Sequence, residues 1–188
     1  DTVLTAAHCL WDPRRGTWRT RESVSFRAGL RDGVSVAERD ALQAVVHPGY
    51  RFLAADPVQR YQTDVALVRL AGAIPAATAR PFRVTAPGTS GEVSVASYGA
   101  GRDGALSRQR RCNVLGRQAG LFVFDCDGVP GSSGAPVFRI DGSAIRVVSI
   151  IAGGTAGDGR PLSVGPELTA AVAELERVAR SGAGLWAE

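Results

Sequence analysis

With 188 residues, 45% of them apolar and 21% charged, the chain can bury the core of one domain or of two small ones, and it is too apolar for a disordered protein. The net charge is +4 and every one of the 22 basic residues is arginine; we read the absence of lysine as genome base composition rather than function. No apolar run approaches the roughly 20 residues of a membrane-crossing helix.

The 23 glycines and 10 prolines, with few long helical patterns, point to strands and turns. Methionine is absent and Asp1 stands directly before an apolar segment. The expectation is a fragment or processed chain, so the lack of a leader says nothing about secretion.

In chain order, Val3-Leu4-Thr5 reads as a strand end entering a turn, where the small Ala6 and Ala7 let a neighbour pack close to His8. A lone histidine is more often structural than functional. Residues 11–21 hold four arginines and two tryptophans. They could contact an anionic polymer, but no basic stripe continues beyond them, and a solvated loop with a packed tryptophan is the preferred reading. In 22–28, Val24, Phe26 and Ala28 alternate with polar residues as in a half-buried strand. A turn at 29–33 precedes two further strands, starting at Val34 and spanning 41–46. His47, before Pro48, reads as surface. Residues 51–62 read as an irregular loop. Asp64 then opens the apolar strand Val65-Ala66-Leu67-Val68-Arg69-Leu70. A carboxylate there tends to be buried and needs a partner, although an ordinary turn aspartate is the more frequent case.

Alanine and proline in 71–87 mark the boundary between a first half, 1–80, and a second half, 81–188. A strand at 91–98 and a glycine-rich loop at 99–104 follow. Arg108, Arg110 and Arg111 read as a solvated basic face. Strands are expected at 112–115, 121–126, 135–140 and 145–152, the last ended by Gly153-Gly154. Leu168, Ala171, Val172, Leu175, Val178 and Ala179 then fall at helical spacing over 166–180, with Gly182 as the stop.

The stretch Gly131-Ser132-Ser133-Gly134-Ala135-Pro136 organises the rest. Glycines around a serine permit positive φ and close approach of backbone N–H groups to a ligand, which is what an exposed nucleophile and a developing oxyanion require. Alone the motif is weak. Of the three cysteines, Cys112 and Cys126 flank the 121–124 run just before this turn. A disulfide there would brace it and imply an oxidising compartment; three free thiols in a cytosolic protein fit the spacing equally well.

His8, Asp64 and Ser133 thus stand in the order of one known arrangement of the catalytic triad. Thr5-Ala6-Ala7-His8-Cys9, Asp64-Val65-Ala66-Leu67-Val68-Arg69-Leu70 and the serine motif together resemble the trypsin/chymotrypsin-like serine peptidases, of a bacterial type, from Val3 to the C-terminal helix. The resemblance implies an all-β fold of two antiparallel six-stranded β-barrels, the first incomplete here, with a C-terminal α-helix and the site in the cleft between them. It implies an endopeptidase working through an acyl-enzyme, with His8, Asp64 and Ser133 catalytic and the backbone N–H groups of Gly131 and Ser133 as oxyanion hole. It also implies a polypeptide substrate, no cofactor or metal, no nucleic-acid or membrane partner, a monomer, and a secreted or periplasmic location. The cysteine that pairs with the one after the histidine in family members has no counterpart, leaving Cys9 without a partner, His8 poorly supported and apolar surface exposed near Val3.

Departures from the family pattern bear on specificity and activation. Ser132 stands where animal digestive members carry an aspartate that binds a new N-terminus, so that switch is not expected. Ala135 replaces a usual glycine, and Ala152 a serine that bonds the catalytic aspartate. Asp127 lies six residues before Ser133, as the pocket-floor aspartate of trypsin-like members does, which would favour arginine or lysine by charge pairing, with Ala152, Gly153 and Gly154 as further pocket residues; a plain loop aspartate after Cys126, one position out of that alignment, is the competing reading. Ile151 takes the place of a histidine usual in glutamyl endopeptidases, which argues against acidic specificity. The competing readings are a catalytically silent protease-like binding protein and, less favoured, an arginine-rich module for polyanions.

Overall fold

The computed structural model describes residues 1–86, 88, 90–157 and 160–186, with backbone alone at 155–157 and 160. Its first strands are β1 (Thr2–Thr5), the short pair β2 (Trp11–Asp12) and β3 (Thr17–Trp18), β4 (Ser25–Ala28) and β5 (Ala37–Val46). Helix α1 (Pro57–Gln62) and strand β6 (Ala66–Leu70) complete the first half. Four of these strands form an open antiparallel sheet in the order β1-β6-β5-β4. The apolar residues of β6 are buried and only Arg69 is exposed, as befits a strand with neighbours on both sides.

Two expectations change here. The strand over 22–28 is shorter, because a 3₁₀ turn at Arg21–Ser23 takes its start. The strand expected to start at Val34 begins only at Ala37 and runs on into the one expected at 41–46 as a single β5, with a register shift between Ala41 and Gln43. Its alternating half pairs with β4 and its apolar half with β6. A bulge moves the side-chain alternation by one residue, and that shift reads as a strand break when only the pattern is visible.

The second half holds β7 (Arg83–Val84), β8 (Gly91–Ser97), β9 (Ser107–Gln118), β10 (Leu121–Phe124), β11 (Pro136–Asp141), β12 (Ala144–Ile150), β13 (Gly153–Gly157) and β14 (Arg160–Pro166). They lie in the order β13-β14-β10-β9-β8-β11-β12-β7, and only the β12–β7 pair is parallel. The six inner strands curl until β12 meets β14. The Ser149 hydroxyl donates to the Pro166 carbonyl at 2.8 Å, and just past β12 the Ala152 N–H donates to Val164 O at 2.9 Å. Glycine is required at this seam, since a Cβ at Gly165 would collide with the Ile150 carbonyl oxygen. Closure removes the unpaired edges of an open sheet. Arg108, Arg110 and Arg111 project from β9 into solvent, as read from the sequence.

The closed barrel is filled by Val93, Val95, Phe122, Phe124, Val137 and Val148, beside a Cys112–Cys126 disulfide. A second cluster lies between the halves, where Ala6, Val65 and Leu67 meet Val147 and Ile150. Helix α2 (Thr169–Arg180) covers that cluster with Ala171 and Leu175 and ends before Gly182 at φ +78°. An apolar trough of about 480 Å³ opens beside Val3, lined by Leu4, Phe26, Leu70 and Ile74 among others.

Candidate active site

His8 lies in a 3₁₀ turn, Ala7–Leu10, directly after β1. Ala6 and Ala7 are fully buried, and larger side chains there would push the turn off the core. Asp64 sits two residues before β6 and is 1% exposed. Its two carboxylate oxygens are both used on one residue. Oδ1 accepts the His8 backbone N–H at 2.8 Å, and Oδ2 lies 2.6 Å from His8 Nδ1. Asp64 therefore fixes the turn and the ring together, and His8 is firmly held, contrary to the sequence expectation. The second bond requires a proton on Nδ1 and leaves Nε2 as the ring nitrogen not engaged by Asp64. Burial disfavours the charged imidazolium, but the Asp64 hydrogen bond, with the neighbouring Cys9 adding to it, prevails and raises the His8 pKa to about 10.

Ser133 is half-buried in the turn between β10 and β11. Gly131 and Gly134 adopt φ of +90° and +80°, values open to glycine and costly to other residues. The Ser132, Gly134 and Ala135 N–H groups are taken by Val129, Ile151 and Ser132 carbonyls. The Gly131 and Ser133 N–H groups have no protein acceptor among the described residues. The turn rests against the histidine segment. A Cβ on Gly134 would lie 2.6 Å from Thr5 Oγ1 and 3.2 Å from Ala6 N, and the Cys9 thiol donates to the Ser133 carbonyl at 3.7 Å. The Ser133 hydroxyl makes no hydrogen bond to His8 among the described residues. Ser132 is buried, with Oγ 3.3 Å from Ser97 Oγ, inside the second half.

The residues expected to line a substrate pocket are spread around this turn. Asp127 is exposed, and its N–H donates to Gln109 Oε1 at 2.7 Å. Ile151 and Ala152 are buried. A Cβ on Gly128 would meet Ser163 Oγ at 2.5 Å, and one on Gly153 would meet the Tyr61 ring at 2.6 Å; Gly154 is exposed beside it. Tyr61 and Ser163 escaped the sequence reading. Tyr61 rides on α1, which replaces the irregular loop expected at 51–62. Asp56 caps that helix by accepting the Val58 N–H at 2.9 Å, with Pro57 in the first turn. Asp-Pro is a helix-start signal that could have found it. Nothing in the sequence marks Ser163. His47 is half-buried rather than surface, its Nδ1 accepting the Gly49 N–H at 3.1 Å and its Nε2 3.6 Å from Glu174 on α2. Among the described residues, no group of three or more His, Cys, Asp and Glu could hold a metal ion.

The family model described as "Trypsin-like peptidase domain" matches residues 1–150. No curated protein matches. A solved structure described as "Structure of Glu endopeptidase in complex with MPD" superposes with a TM-score of 0.72 at 19% identity, covering 96% of this chain and 81% of that one.

Proposed function

Because the chain belongs to the trypsin-like peptidase family, as a serine-type endopeptidase, we propose that it hydrolyses peptide bonds through an acyl-enzyme formed by His8, Asp64 and Ser133. The single observation that carries the reading is the use of both Asp64 oxygens on the backbone and ring of His8. Ser133 Oγ attacks the scissile carbonyl while His8 Nε2 takes its proton. The imidazolium so formed is stabilised by Asp64 and returns the proton to the leaving amine. Water repeats the sequence to release the acid. The unclaimed N–H groups of Gly131 and Ser133 receive the oxyanion, and losing one such donor typically costs about 3 kcal/mol of barrier.

The missing Ser133–His8 hydrogen bond favours a second reading, a silent binding protein on the same scaffold. Such bonds are often long without substrate. A serine-directed fluorophosphonate probe decides between them: labelling of the parent that vanishes in Ser133→Ala supports the enzyme, and an unlabelled parent supports the binder. For specificity we read Asp127 as favouring Arg or Lys at the cleavage site, and Ile151 as disfavouring Glu. Matched Arg and Glu peptides test this, and faster cleavage of the Glu peptide overturns it. The Cys112–Cys126 disulfide supports a secreted or periplasmic location, and Ser132 before the nucleophile is what we read as the bacterial type. We further read 1–80 and 81–188 as the two units of a monomer.

A further inference from the structure

We propose that the outer face of the second barrel carries a binding site for an acidic polypeptide segment, built on Arg80, Arg83 and Arg146 and separate from the serine turn. The register aligns three arginines across adjacent strands: Arg139 opposite Arg146 in β11–β12, and Arg146 opposite Arg83 in β12–β7. Directly opposed residues point to one face, and neighbouring strands lie about 4.8 Å apart. Like charges so placed repel and weaken the pairing.

Some arginines are neutralised, as in Arg27–Glu38, Arg111–Glu92 and Arg117–Glu167; what sets this group apart from other unpaired arginines is its convergence on one cavity. Among the described residues, no carboxylate comes within 4.0 Å of the Arg80, Arg83 or Arg146 guanidinium, and Asp141, further along the same strand pair, falls opposite Ala144 instead. Arg139 leans away and donates to the Ser90 carbonyl. The other two, with Arg80, line a cavity of about 350 Å³ together with Phe82, Ser143 and Ile145.

Three unneutralised guanidinium forks around one cavity suit carboxylates, which they bind in bidentate fashion. Two features favour a polypeptide over a nucleic acid. β7 ends the strand order and has no strand on its outer side among the described residues, the geometry that strand addition by a peptide uses. Phe82, 53% exposed, is the one aromatic in the cavity lining among the described residues, enough for an apolar side chain but no platform for successive stacked bases.

The test is fluorescence anisotropy with a labelled Glu-Ala repeat peptide, in the Ser133→Ala background so that the probe survives. Binding is expected to fall with salt and to weaken at least about tenfold in Arg83→Gln/Arg146→Gln, while Arg14→Gln/Arg15→Gln, of equal net charge, leaves it intact. Equal loss in both pairs, or none in the first, overturns the site. Tighter binding of a single-stranded oligonucleotide of matched charge overturns the peptide assignment.

Discussion

Asp64→Asn is the sharpest perturbation of this site because it keeps shape and removes one acceptor. In the parent, two donors on His8 meet two carboxylate oxygens at 2.8 and 2.6 Å. An asparagine offers one oxygen and one NH₂. If the oxygen stays with the backbone N–H, the NH₂ faces Nδ1, which must then give up its proton and accept. The imidazole proton moves to Nε2, the atom that has to receive the Ser133 proton. The wrong tautomer costs about 10⁴ in kcat in the well-studied triad of this kind, about 5 kcal/mol of barrier. Substrate contacts are untouched, so KM stays near its parent value. Losing a buried charge-assisted bond also lowers folding stability by about 1.5–3 kcal/mol, readable as an earlier urea midpoint with unchanged slope. Steady-state kinetics on a peptide ester, beside urea unfolding, tests both parts. A kcat within tenfold of the parent in a folded variant would refute the reasoning.

Further outcomes follow from other sites. With the His8 pKa raised, the neutral base accumulates only as pH rises, so kcat/KM climbs through the alkaline range towards pH 10; a plateau already reached at pH 7 contradicts this. The same shift stabilises the fold fully below the ordinary histidine pKa of about 6.5, and that contribution is lost as pH rises through the folded value. Removing the disulfide with Cys112→Ala/Cys126→Ala opens a loop with a sequence separation of 14 and costs about 3 kcal/mol by loop entropy, measured by denaturant melts. Gly165→Ala forces a methyl against the Ile150 carbonyl and destabilises the closed barrel by at least about 1–3 kcal/mol; an unchanged melting curve contradicts the seam. Gly134→Ala lowers kcat, and Thr5→Ala recovers only part of it, because positive φ and the contact with Ala6 N remain.

The parts legible in the sequence were those whose chemistry is local. A serine between glycines, an aspartate before an apolar strand and a histidine after two alanines each carry their own signal, and the helix over α2 shows in its period. What stayed hidden depends on distant partners. β5 looks like two strands because its bulge is set by the different neighbours of its two ends. β13 and β14 were missed because Gly153-Gly154 reads as an end, yet the pairing across 153–164 makes it a hairpin. His47 meets Glu174 of α2, more than a hundred residues later. That Asp64 would hold backbone as well as ring at His8 cannot be seen in either motif.

The contact of Gly134 with Thr5 and Ala6 leaves no slack between pieces of chain more than a hundred residues apart. In the proposed mechanism base and nucleophile lie on opposite sides of that contact, and their alignment exists only once it has formed. During refolding, hydrolytic competence should therefore emerge last, lagging the return of circular dichroism. A chain caught half-assembled would be unable to digest its own neighbours.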